Sequence, residues 1–182
     1  MQSYRLARMS PGVLVLTIVL LVVPVAFLVA ILTGQKEMEA PFIISCAVYG
    51  WVWLGFRPST FILNPHELEV VWPLKRRRVP RQSILTVRQL DAKTLKAEIG
   101  WGVRVGAGGL WGGFGWLWTR NRGIVQMYIS RTDHFVWIER GDERPWLITP
   151  ERPDEFIREI SKNGSPVAQP AVSGYASQAR QS

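Results

Sequence analysis

The residue types able to do chemistry are few in this chain, and they are not spaced to act together. The two histidines, His66 and His134, stand on either side of a glycine-rich stretch. Neither belongs to an H-E-x-x-H pair, whose spacing sets two imidazoles around zinc on one helix face, so each reads as a turn or surface histidine. Cys46 is the only cysteine, which leaves no intramolecular disulfide and no cysteine metal site. No G-x-S-x-G elbow supports a nucleophilic serine. Asp142-Glu143 and Asp154-Glu155 are sequence neighbours rather than facing carboxylates, and they read as turn and helix-start charges. The sequence therefore predicts no catalytic residue, no metal and no cofactor.

Two other constellations point to binding. Lys75, Arg76, Arg77 and Arg78 form a basic run with Arg81 close behind, in a chain whose 22 Lys+Arg against 14 Asp+Glu give a net charge of +8. These five residues are candidates for anionic lipid headgroups, each worth about 1 kcal/mol beside an anionic leaflet. The plainer reading is an edge strand kept soluble by charge. Nucleic acid is disfavoured, because no recognition helix or aromatic ribonucleoprotein motif accompanies the charge. The second constellation holds eight of the sixteen glycines between Gly100 and Gly115 and four of the nine tryptophans, Trp101, Trp111, Trp116 and Trp118. Gly106 to Trp111 fails G-x-G-x-x-G at its last position, and no G-K-[ST] makes a phosphate loop. Trp111, Phe114, Trp116 and Trp118 with Arg120 and Arg122 are candidates for an interfacial or partner contact. Glycines that bend strands around core tryptophans, or a small-ligand site, explain the same composition.

Two apolar segments must position all of this. Val13 to Leu32 is twenty uncharged residues, about 30 Å as a helix and so the thickness of a bilayer core, and Pro41 to Phe56 is a shorter uncharged return. The first is too long for a secretory h-region, and Ala26 to Ala30 offers no A-x-A site, which predicts a retained span. Arg5 and Arg8 precede the pair, Arg57 and the basic run follow it, and the turn Thr33 to Ala40 carries only Lys36. The expectation is a multi-pass protein of the inner (plasma) membrane, residues 1–12 being a cytoplasmic N-terminus and both termini cytoplasmic. Tyr49, Trp51 and Trp53 suit either the headgroup level or packing against the first span.

From residue 57 to 162 the texture is that of a β-domain. Thr60 to Leu63, Glu67 to Trp72, Lys75 to Val79, Ile84 to Gln89, Ile124 to Ser130, Phe135 to Arg140 and Pro145 to Thr149 are strand candidates separated by turn residues. Leu95, Ala97, Ile99, Trp101, Val103 and Val105 alternate with polar residues and glycines, which predicts one extended segment. Thr149-Pro150-Glu151 reads as the cap and first turn of a final helix with Phe156, Ile157 and Ile160 on its apolar side. Residues 163–182, rich in Gly, Ser, Pro, Ala and Gln, read as a disordered tail. Its Asn163-Gly164-Ser165 sequon would not meet the glycosylation machinery from the cytoplasm.

Gly112-Gly113-Phe114-Gly115-Trp116, then Gly123-Ile124-Val125 with Tyr128, Arg131-Thr132-Asp133, and Ile148 to Phe156 with its Thr-Pro-Glu start resemble the bacterial pleckstrin-homology-like (PH-like) domain family. The resemblance covers about residues 57–161. It implies two near-orthogonal antiparallel sheets in a sandwich or barrel closed by a C-terminal helix, and it implies no enzyme activity. The fold expected is thus a membrane-anchored α+β protein, a two-helix transmembrane hairpin followed by a PH-like domain. The function expected is a non-enzymatic binding or assembly module at the cytoplasmic face, engaging anionic lipid, a protein partner or further copies of itself. The alternative is a membrane-associated enzyme or transporter accessory subunit with its site between spans and domain.

Overall fold

Gln2–Arg5 is a strand, β1, and it pairs antiparallel with Thr60–Leu63, β2, so that Arg5 stands opposite Thr60. The structure is a computed structural model describing residues 2–162 apart from Asp142, so the expected tail and its sequon lie outside the described residues. Everything between β1 and β2 is an excursion from this one strand pair. The segment 1–12 is therefore no separate N-terminal tail: Tyr4 and Leu6 are buried in the core while Arg5 faces out, a period-two pattern too short to stand out in the sequence. The β-domain accordingly starts before the apolar pair and resumes after it.

The excursion consists of α1, Pro11–Leu32, and a second helical stretch, Lys36–Phe56. The second is a 3₁₀ turn, then α2, Glu39–Trp51, then a π-helical turn through Val52–Phe56. It begins five residues before the expected Pro41, with Glu37 and Glu39 at its first turns, where the helix dipole favours acids. Both stretches are long and apolar enough to cross a membrane by length and composition, and almost none of their side chains are buried, unlike the core helix of a soluble protein. One polar contact joins them. Pro24 has no N–H to offer the carbonyl four residues back, and the hydroxyl of Tyr49 donates to that carbonyl, Leu20 O, at 2.7 Å. Of the two readings of Tyr49, packing against the first helix is the one observed.

β2 continues through β3, Glu67–Val71, and β4, Arg76–Pro80, completing a four-stranded antiparallel sheet in the order β1-β2-β3-β4. The chain then crosses to a second sheet. Its strands are β5, Ile84–Leu90; β6, Gly102–Gly108; β7, Gly113–Thr119; β8, Gly123–Ile129; β9, Phe135–Arg140; and β10, Trp146–Ile148. Their order is β5-β9-β10-β8-β7-β6. β10 runs parallel to β8, so this sheet is mixed where all-antiparallel pairing was expected. The main core lies between the sheets, built from Tyr4, Phe61, Leu68, Val136, Trp146 and Phe156 among others. α4, Pro153–Ser161, closes it with Phe156 and Ile160, both fully buried.

Two local readings are corrected by the structure. Ala92–Ile99 is a helix, α3, not the first half of an extended segment. Asp91 caps it by accepting from Thr94 N–H at 2.9 Å, Gly100 ends it at φ 67°, and Leu95 and Ile99 fall one turn apart on the back of the six-stranded sheet. Its Leu95-Ala97-Ile99 alternation coincides with helical i, i+4 spacing, and true period-two structure starts only at Gly102. The final helix begins at Pro153 rather than at Thr149, because the Thr149 hydroxyl is taken up accepting from Ser130 N–H at 2.9 Å inside the fold. Phe156 meets Tyr4 edge-to-face at 5.3 Å, so the last helix rests on the first strand. Phe156→Ala is expected to cost about 3–5 kcal/mol in denaturant unfolding of the detergent-solubilised full chain; a loss below 1 kcal/mol would contradict this packing.

Candidate functional site

The pleat of β4 divides the basic run. Arg76 and Arg78 point to the outer face of the four-stranded sheet, where they reach the buried carboxylate of Glu69 at 3.5 and 3.8 Å, and Arg78 also reaches Glu67 at 3.7 Å. Arg77 points the other way. It donates to Gln126 Oε1 at 2.7 Å, lies over the Trp146 ring and pairs with Glu143, which also pairs with the buried Arg140. Gln126 in turn donates to the hydroxyl of Tyr128, whose phenol burial pushes up to about 12 while Arg77 and Arg140 pull it the other way. Lys75 sits over the Trp72 ring at 5.0 Å. Arg81 departs from the headgroup expectation. It is buried, donating to Asn64 O and Glu159 O, and so ties the sheet to α4 instead of facing solvent.

Position along the strands separates these residues further. Ser59 N–H donates to Val71 O, and the Trp72 indole donates to Phe56 O at 3.0 Å, which sets the β3–β4 turn against the end of the second apolar helix. Lys75 and Arg76, with the exposed Leu74, occupy that end. Arg78 and Arg81 follow toward the opposite end, Pro80 pairing with Glu67.

The Gly-Trp run is a two-stranded ribbon, β6 with β7, at the edge of the six-stranded sheet. Its tip, residues 109–112, lies along α1. Ser10 N–H donates to Ser130 O at 3.2 Å at the start of that helix, and two turns further on Thr17 holds the tip. The Thr17 hydroxyl has Val13 O at 2.8 Å and Gly109 O at 3.0 Å as acceptors, and itself accepts from Trp111 N–H at 3.0 Å. Trp111 stands edge-on to Trp53, ring centroids 4.7 Å apart. From this tip the two strands run on through the pair Val103 and Trp118, about 17 Å along the strand from Gly108.

Each reading of the run holds for part of it. Phe114, expected at an interface, is buried in the main core at 1% exposure and is corrected to a packing residue. Beyond it Gly106 and Gly115 face one another across the ribbon with φ 136° and 128°, and a Cβ on either would strike the opposite backbone. Past this kink the same side of the sheet has no cover. Val105 opposite Trp116 and Val103 opposite Trp118 form an exposed apolar ladder, with Trp101, 75% exposed, at its end. Arg120 and Arg122 belong to the turn after β7, at the opposite end of the ribbon from Trp111. Arg122 is engaged by Glu98, so these two arginines do not flank the tip.

His66 and His134 lie exposed in separate turns, one before β3 and one before β9. The arrangement offers surfaces for contact: an exposed apolar ladder, a tip fixed to an apolar helix, and cationic side chains at the helix end. Sequence reasoning passed over Thr17, although a single hydroxyl within a long apolar segment is a signal in itself.

The model of one protein family, the bacterial PH domain, matches residues 59–163, more than half of the chain. No curated protein and no solved structure matches it.

Thr17→Val preserves shape and removes the hydroxyl that satisfies Gly109 O and Trp111 N–H. Amide exchange at Trp111 in the detergent-solubilised full chain is expected to accelerate about tenfold or more, as for a lost hydrogen bond that leaves buried groups unmet. Unchanged exchange there would show that the tip is held by packing alone.

Proposed function

This chain belongs to the bacterial PH domain family, and on that premise we propose that it is a non-enzymatic binding or assembly module. Its helix pair anchors it in the plasma membrane, with the β-domain and both termini on the cytoplasmic face. The observation that carries this reading is the seam between helices and domain. β1 and β2 flank the helix pair as neighbours, and Thr17 holds the ribbon tip, so the domain is fixed to its anchor without a flexible linker. The orientation is supported by Arg5, Arg8, Arg57 and the basic run on the domain side, against Lys36 alone in the turn. Lack of chemistry is supported by the separated histidines and by the family, whose members are generally non-enzymatic.

Partner chemistry is assigned from where each group sits along the strands relative to the helix contacts. Lys75 and Arg76, at the helix end of the domain, meet anionic headgroups. The exposed ladder of Trp101, Val103, Val105, Trp116 and Trp118 stands further off and meets a protein, either a second copy or another membrane-bound chain.

A photo-crosslinking amino acid at Trp118 in native membranes is expected to capture protein, while the same probe at Leu74 captures lipid; lipid alone at Trp118 would remove the protein-contact reading. For orientation, Gln35→Cys in a Cys46→Ser background should react with an impermeant maleimide from outside intact cells, and Arg120→Cys should not. The reverse pattern would invert the topology.

A further inference from the structure

Arg57, the first residue after the second apolar helix, has no carboxylate partner among the described residues. At the same end of the domain Arg76 has Glu69 and Arg152 has Glu155 at 2.7 Å, while Lys75 lies over the Trp72 ring. The Arg57 guanidinium carbon instead lies over an aromatic, 4.3 Å from the centroid of Trp53, the ring that also meets Trp111. Its Nε is buried with no acceptor in hydrogen-bond range. Burial alone pushes its pKa down from the ordinary guanidinium value, with no neighbouring acid acting to raise it. The negative end of the helix dipole offsets part of the charge, but it supplies no acceptor to Nε. A half-buried guanidinium over an aromatic face, with its Nε donor left over, is a fork set for a phosphate.

The height of the site names the ligand. Trp53 and Trp111 are amphipathic rings at the end of the apolar pair, the level at which tryptophan settles beneath headgroups. Arg57 is one turn further out. Beside it the Trp72 indole donates to Phe56 O, and the Lys75 ammonium lies over that indole ring. We propose that Arg57, on the face of Trp53 and with Lys75 at the rim, binds the phosphodiester of a membrane phospholipid at the inner end of the second helix. The lipid then supplies the counter-ion that the chain lacks, and it fills the angle between helix pair and domain. Arg57 thereby differs from the basic run of β4, whose outward members already have glutamates. This inference rests on the membrane-anchored reading above.

The test uses the full chain purified in mild detergent, with bound species counted by native mass spectrometry. The arms are phosphatidylglycerol, diacylglycerol with the same acyl chains, and inorganic phosphate, applied to wild type, Arg57→Gln, Arg57→Lys and Arg144→Gln. Wild type and Arg144→Gln are expected to retain phosphatidylglycerol, and Arg57→Gln to retain it about tenfold more weakly, the loss of one charge-assisted contact. Arg57→Lys should fall between, since it keeps the charge but loses the planar fork. Equal retention of diacylglycerol, or no change in Arg57→Gln, overturns the proposal. Binding of inorganic phosphate that depends on Arg57 in lipid-free detergent overturns the lipid assignment. Near-UV circular dichroism of each variant identifies any that fails to fold, and Arg57→Lys then carries the comparison. Alkaline extraction of membranes separates the two levels. A wild-type chain that washes off sinks the anchored reading, whereas one that stays while Arg57 variants retain lipid normally sinks this inference alone.

Discussion

Pairing of β1 with β2 is the constraint on which the rest depends. An antiparallel pair brings the end of one strand beside the start of the next, usually through a turn of a few residues. Here the turn is replaced by two apolar helices, and both ends of that excursion are brought back to the same place by the ladder from Arg5–Thr60 to Gln2–Leu63. Helix ends and sheet are consequently one framework. Tyr49 closes the helices on one another at Leu20 O, Thr17 closes α1 on the ribbon tip, and Ser10 closes its start on Ser130, the residue after β8. Each of these bonds satisfies a group that would otherwise be left unpaired in apolar surroundings.

That framework also divides the surface by distance along the strands from the helix contacts. Near the helices are Trp53, Arg57, Leu74, Lys75 and Trp111; farther out are the ladder past the glycine kink and the turn with Arg120 and Arg122. The kink is what separates them. It allows Phe114 to enter the core while Trp116, two residues later on the same side of the strand, leaves it. In the proposed reading the lower level faces lipid and the upper level faces protein, so the anchored domain has two contact surfaces of different chemistry.

Much of this was legible in the sequence, and the failures have physical causes. Runs such as Glu67 to Trp72 and Phe135 to Arg140 carry both the alternation and the turn residues of their strands, and both formed where expected. The apolar segments were visible because length and lack of charge are one-dimensional properties. What failed depended on partners distant in the chain. Gln2–Arg5 is too short to announce a strand without β2, and Leu95 to Ile99 satisfies two periods at once. For the basic run, composition gave five equivalent cations, but the pleat and the depth of each position made them unlike: Arg77 braces Trp146, Arg81 is internal, and Lys75 and Arg76 reach the helix end. Arg57 entered the sequence reading only as an orientation charge. Its lack of a carboxylate is a property of its surroundings, which no local pattern records.

Threading the helix pair between neighbouring strands also sets an order of events. During synthesis β1 emerges first, and β2 emerges only after both helices have been made. The four-stranded sheet cannot close around Tyr4 and Phe61 until then, nor can α4, the last described element to be made, seat Phe156 on them. An unfinished chain thus carries an unpaired strand and an open core while its apolar helices are already exposed, the state most prone to aggregation. Delivery of the helices to a bilayer during translation would protect the strand as much as the helices, and a chain released too early would lose both.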